Sequence, residues 1–134
     1  MGPAPHYHFG VYARIRDAGR ILLVHKTRGP YAGLLDLPGG RPEAGETWAQ
    51  TLERELHEEL GLLLSATGEF KPFTLHVQSS SINFHHRGVF TDLPAPAAAP
   101  AAVVSSDTAG PEWIDLHVTE ESRLSPAVLT VLAL

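Results

Sequence analysis

Three glutamates in the first half of the chain, Glu55, Glu58 and Glu59, stand at positions i, i+3 and i+4. On a helix that spacing projects all three carboxylates from one side. Like charges four residues apart destabilise an isolated helix by roughly 0.2–0.5 kcal/mol per pair. These acids also fall in a last helical turn, where the helix dipole favours cations. A bound divalent metal offsets both penalties. Mg²⁺ suits the donors, since it is small and hard and takes carboxylate oxygens, waters and substrate phosphates. Such a site lowers the pKa of a bound water and neutralises charge on a breaking phosphoanhydride. Arg54 stands four residues before Glu58, close enough to pair with it and to orient a ligand carboxylate through its guanidinium fork. An ordinary surface ion pair accounts for that pair equally well. Gly39, Gly40 and Gly45 allow a tight backbone path around a metal, and a plain turn accounts for them equally well.

The segment that carries the acids reads as a helix from Thr47 to Leu60. Trp48, Leu52, Leu56 and Leu60 recur every fourth residue and form an apolar ridge for packing on a sheet. Gly61 suits the left-handed position that ends a helix. Tyr7–Arg16 and Ile21–Val24 read as two strands of a hairpin around Asp17-Ala18-Gly19, and Leu34–Leu37 as a brief strand stopped by Pro38. Phe70–Gln78 and Ile82–Asp92 are two more strands, joined by Ser79-Ser80-Ser81, and Glu112–Leu116 is the last. Ser125-Pro126 opens a C-terminal helix, with serine at the N-cap and proline at the first turn. Leu93–Pro100 is a proline- and alanine-rich surface loop. Trp48 and Trp113 are expected in the core. Strands on both sides of the acidic helix and a final helix predict a mixed sheet covered on two faces.

At 134 residues the chain is expected to form one domain, residues 1–134. Fifteen acids against ten bases give a net charge of −5 without a basic stripe. That balance argues against duplex nucleic acid as a partner but not against small nucleotides. The chain has no cysteine, which excludes disulfides, thiolate zinc sites and a cysteine nucleophile. The N-terminus lacks the pattern of a signal peptide, and no apolar run approaches a membrane span of about 20 residues. The expected location is cytoplasmic, with no membrane partner.

Gly40, five residues, Glu46, seven residues, then Arg54-Glu55-Leu56-His57-Glu58-Glu59-Leu60-Gly61-Leu62 resembles the Nudix box, residues 40–62, at every fixed position. Leu35-Asp36-Leu37-Pro38-Gly39 looks like the lead-in of that family, and Glu112-Trp113-Ile114-Asp115-Leu116 like its late strand. The resemblance to Nudix (MutT-like) hydrolases implies an α/β/α sandwich and a nucleotide pyrophosphatase dependent on Mg²⁺ or Mn²⁺. It implies a metal held by Glu55, Glu58, Glu59 and the backbone carbonyl of Gly39. Arg54 and Glu46 join Glu58 and Glu59 in the catalytic set, as buttresses of the loop and helix.

In this family the general base comes from the box or from a later loop, which points to Glu58, Asp107 or Glu112. Arg28 and Tyr31, in the loop before the box, are candidate contacts for a phosphate or a base. Alternation along Phe84–Phe90 sends one of His85 and His86 toward the pocket, as a substrate contact. Zinc at these histidines or at His6 and His8 lacks supporting spacing.

Substrate class is less legible. ADP-ribose enzymes tend to carry a proline near the place of Gln78 and dinucleoside polyphosphate enzymes a tyrosine near that of Ser80, and the coenzyme A signature is missing. Short nucleotide pyrophosphatases acting on nucleoside triphosphates, oxidised ones included, fit best. The alternative is a Nudix domain that binds nucleotides without turnover. The isomerase chemistry hosted by the same scaffold needs a cysteine. Many relatives are dimers, so a homodimer is a candidate assembly, and the apolar tail Ala127–Leu134 either packs internally or meets a partner.

Overall fold

The computed structural model describes residues 2–101 and 107–134. The elements run β1 His6–Asp17, β2 Arg20–Lys26, β3 Leu35–Asp36, β4 Gly39–Gly40, α1 Trp48–Leu60, β5 Lys71–Gln78, β6 Asn83–Leu93, β7 Thr108–Asp115, a 3₁₀ turn at Glu121–Arg123, and α2 Pro126–Leu132. The hairpin forms, with Ala18 and Gly19 both at positive φ, the geometry of a type I′ turn. Beyond that turn the two strands part. β1 pairs β2 only at residues 16–17, then runs parallel to β6 from His6↔Phe84 to Ile15↔Leu93. The sheet is mixed, in the order β3-β2-β1-β6-β5, with β4 added to β1 and β7 to β2. β7 begins at Thr108, before the expected Glu112, because its pairing with β2 continues past a register shift to Lys26↔Thr108.

Period-two alternation supplies two cores, one on each face. Val11, Ala13, Ile15, Leu22 and Val24 meet Leu52, Leu56 and Leu60 of α1. On the other face Tyr12, Ile21, Leu23 and Phe90 meet Ala127, Val128 and Val131 of α2. The result is an α/β/α sandwich, in which Ala127, Val128 and Val131 of the apolar tail pack internally while Leu129 and Leu134 are exposed. Among the described residues no helix is long and apolar enough to cross a membrane.

Capping places α1. Thr47 and Gln50 form a reciprocal capping box, and Gly61 at φ 67° closes the helix with its N–H on the His57 carbonyl. Trp48 departs from expectation. It is 46% exposed at the first position of α1, where it meets the Phe9 ring tilted and the Phe70 ring edge-on. Trp113 is half-buried under the Arg20 guanidinium.

Two buried polar contacts fix α2. Arg14 forms a bidentate pair with Asp92 (2.6 and 2.9 Å) and donates to the carbonyls of Val131 and Leu134 (2.8 Å each). Ser125 Oγ accepts from Val128 N as the N-cap and donates to the buried Asp36 carboxylate at 2.7 Å. Burial pushes the Asp36 carboxyl pKa up, and the Ser125 hydroxyl opposes that shift. Ser125→Ala removes both bonds and is expected to cost about 2 kcal/mol of stability, read as a lower urea midpoint. A change below about 0.5 kcal/mol would show that water replaces the hydroxyl.

Candidate active site

The divergence of β1 from β2 opens a cleft of about 590 Å³. Glu55, Glu58 and Glu59 from α1, Gly39 and Gly40 from β4, and Asp36 and Asp107 form its acidic side. His6, His8, Tyr12, Tyr31, Phe84 and His86 form an aromatic side, and Lys26, Arg28 and Arg41 also line it.

The acidic side is held by the loop before α1. Gly39 sits at φ 139° against β1, where a Cβ would overlap the Val11 carbonyl. Only glycine fits, and its N–H donates to Glu59 Oε1 at 2.7 Å. A Cβ at Gly40 would stand 2.7 Å from the Glu55 carboxylate, so this glycine leaves the space that Glu55 fills.

Arg54 anchors the same loop from the helix. Its Nε and Nη2 donate to the two oxygens of Glu46 at 2.7 and 3.0 Å, and Nη2 also donates to the Arg41 carbonyl at 3.1 Å. Nη1 donates to Glu55 at 3.0 Å. The Glu58 contact expected from helical spacing is the longer one, 3.4 Å, because the fork matches both oxygens of Glu46 better than a neighbour on its own helix. Glu46 also accepts from the Glu43 N–H and the Thr51 hydroxyl. Its pKa is lowered to about 2, chiefly by Arg54.

Electrostatics within the cleft are unbalanced. Burial pushes the Glu59 carboxyl well above the usual carboxylate range, against the Gly39 N–H, and Glu55 adds to the upward shift. Burial likewise raises Glu55, partly offset by Arg54, with Glu58 and Asp107 raising it further. In their present positions these carboxylates face protein donors, and no group of three or more His, Asp or Glu among the described residues is gathered into a metal cluster. The donor set nevertheless suits a hard cation, being all oxygen, crowded and short of positive charge.

Other sequence candidates separate. Asp107 reaches the cleft and pairs with Arg28 at 3.7 Å. Ser105 and Ser106, beside it in sequence, lie outside the described residues. Glu112 does not line the cleft; its carboxylate meets His25 Nε2 at 2.7 Å. His86 faces the cleft, while His85 points to the opposite face of the sheet and stacks between Tyr7 and His76. Tyr31 is 4% exposed, with its hydroxyl 2.8 Å from His86 Nδ1. Tyr12, Lys26, Asp36 and Arg41 had no functional signal in sequence. His8, Tyr12, Phe84 and His86 share a face by alternation, but nothing local announced that β1 lies parallel to β6.

The NUDIX domain family model matches residues 4–132. An 8-oxo-dGTP diphosphatase of Haemophilus influenzae is 36% identical over 69 residues, 51% of this chain and 51% of that protein. An ADP-ribose pyrophosphatase of Methanocaldococcus jannaschii is 41% identical over 49 residues, 37% of this chain and 29% of that one. The matched segments thus span about half the first relative's length and under a third of the second's. A MutT NUDIX hydrolase structure from Burkholderia pseudomallei superposes with a TM-score of 0.73 at 26% identity, covering 96% of this chain and 95% of that chain.

His86 gives the cleft a pH dependence. Burial lowers its pKa from 6.5 to about 3, so the fold holds it neutral. Its contribution to stability is therefore complete above pH 6.5 and is lost as pH falls from 6.5 toward 3. His8, lowered to about 4 by burial and then by Arg41, acts in the same direction. Thermal unfolding across pH 7 to 4 should show a steeper decline for the wild type than for His86→Gln. Parallel curves would mean that His86 is not a source of the decline.

Proposed function

The chain belongs to the NUDIX domain family, and we propose that it hydrolyses a phosphoanhydride bond in a nucleoside diphosphate linked to a further group. Glu55, Glu58 and Glu59 converge from one helix face onto a cleft that also carries Lys26, Arg28 and Arg41, and this arrangement carries the reading. In it the three glutamates and the Gly39 carbonyl would hold a divalent cation, Mg²⁺ or Mn²⁺. A bound cation supplies an acidified water and neutralises charge on the phosphoanhydride.

The chain's own residues do the rest. Arg28, Arg41 and Lys26 bind and orient phosphate oxygens. Glu58, the half-exposed carboxylate of the three, or Asp107 takes the proton of the attacking water. The Arg54–Glu46 fork keeps Glu55 and the loop in register and takes no part in bond making. The aromatic side receives the base. Nucleoside triphosphates and ADP-ribose lead the substrate candidates, in line with the names of the two relatives.

A panel of nucleoside triphosphates, ADP-ribose, dinucleoside polyphosphates, sugar nucleotides and coenzyme A would be assayed with Mg²⁺, with Mn²⁺ and with EDTA. Turnover is expected only with metal, and Glu59→Gln should lower kcat by about a hundredfold or more. Added Mg²⁺ or Mn²⁺ should raise the wild-type Tm and leave that of Glu59→Gln nearly unchanged. Full activity in EDTA or in Glu59→Gln would overturn the assignment. Metal-dependent nucleotide binding with no product would instead identify a non-catalytic binding domain.

A further inference from the structure

Four side chains on the aromatic side form one continuous hydrogen-bonded chain. His8 Nε2 lies 3.2 Å from Tyr12 Oη, Tyr12 Oη 2.8 Å from His86 Nε2, and His86 Nδ1 2.8 Å from Tyr31 Oη. At its outer end Arg41 Nη2 lies 3.3 Å from His8 Nδ1. Tyr12 and His86 are buried, and both histidines are held neutral by burial. A neutral imidazole has one N–H and one acceptor nitrogen, and a phenol has one proton. A phenol oxygen can also accept from both sides, but at Tyr12 that would leave its own proton unpaired in a buried place, which disfavours every arrangement except the two in which all members point the same way.

Arg41 decides between them, because a guanidinium can only donate. His8 Nδ1 must then accept, which places the His8 proton on Nε2, aimed at Tyr12 Oη. Tyr12 donates onward to His86 Nε2, so His86 carries its proton on Nδ1 and donates to Tyr31 Oη. The Tyr31 proton is left over. Among the described residues the Tyr31 hydroxyl has no hydrogen-bond partner besides His86. In the opposite polarity His8 Nδ1–H would face the guanidinium N–H, and Tyr31 would offer an acceptor instead.

We propose that Arg41, acting through His8, Tyr12 and His86, fixes the Tyr31 hydroxyl as a hydrogen-bond donor into the aromatic side of the cleft, selecting nucleobases with an exocyclic carbonyl, such as 6-oxopurines, over 6-aminopurines. Tyr31 is the specificity-determining residue and Arg41 a positioning residue. An exocyclic amino group would meet the Tyr31 proton donor to donor and leave it unpaired in a buried place. The specificity rests on the pyrophosphatase reading, whereas the polarity of the chain does not.

Two measurements separate them. Ring-nitrogen NMR of histidine-labelled protein is expected to show His8 protonated at Nε2 and His86 at Nδ1, with that preference lost in Arg41→Met. His86 protonated at Nε2 in the wild type would overturn the polarity. With inosine and adenosine triphosphates as probes, kcat/KM is expected to favour inosine about tenfold. That ratio should fall to within about twofold in Tyr31→Phe and in Arg41→Met. Taking the ratio cancels any uniform loss of phosphate binding in Arg41→Met. A wild-type ratio near one, a preference for adenosine, or a ratio unchanged in Tyr31→Phe would overturn the specificity while leaving the pyrophosphatase reading intact. No turnover of any nucleotide would overturn that reading and the specificity together, with the NMR result still deciding the polarity.

Discussion

Glu59 is 6% exposed, and among the described residues the hydrogen bond to its carboxylate comes from the Gly39 backbone N–H. A buried carboxylate held by so little is costly, and much of the surrounding construction serves to keep it there. Leu52, Leu56 and Leu60 press α1 onto the sheet and fix the height of Glu59. Gly39 comes close enough to donate only because β4 pairs with Val11 and Tyr12 of β1, a path closed to any residue with a Cβ. Arg54 ties that loop back to the helix through Glu46 and the Arg41 carbonyl. In the proposed reaction a cation meeting these like charges would recover the free energy of burying them and so link the stability of this region to its chemistry.

The two sides of the cleft follow opposite electrostatic logic. On the acidic side, burial raises carboxylate pKa values and favours a positive ligand. On the aromatic side, burial lowers the pKa values of His8 and His86 and keeps both rings neutral beside Lys26 and Arg41. A protonated histidine there would break the order of donors and acceptors along the chain. Neutrality is thus a condition of the hydrogen-bonded arrangement, and it is satisfied by desolvation without a carboxylate partner.

The two faces of the sandwich are coupled through β3. Asp36 lines the cleft, yet its carboxylate receives the hydroxyl that caps α2, and the Ser125 N–H donates to the Leu35 carbonyl. Tyr12 belongs to the α2-side core while its hydroxyl lies in the polar chain of the cleft. Packing of α2 therefore bears on the position of groups some distance from it in sequence.

Local rules carried the reading a long way. The i, i+3, i+4 spacing of Glu55, Glu58 and Glu59, the leucine ridge behind them, the glycine at 61 and the Ser125-Pro126 cap are all short-range features, and helix geometry alone turns them into structure. The box from Gly40 to Leu62 identified the family because its spacing is rigid. What depended on long-range pairing was not legible. The parallel register of β1 on β6 brings His8 and Tyr12 to His86 across more than seventy residues, and no turn or motif encodes it. The same pairing sends His85 to the far face, and the β2–β7 register gives Glu112 to His25 instead of the cleft. Tyr31 is buried by Phe84 and His86, residues its own loop says nothing about. Sequence determined the acidic helix and the chemistry it can support, since those follow from neighbours along one chain segment. Tertiary structure decided which other side chains share the cleft, because only strand pairing and burial set their distances and protonation.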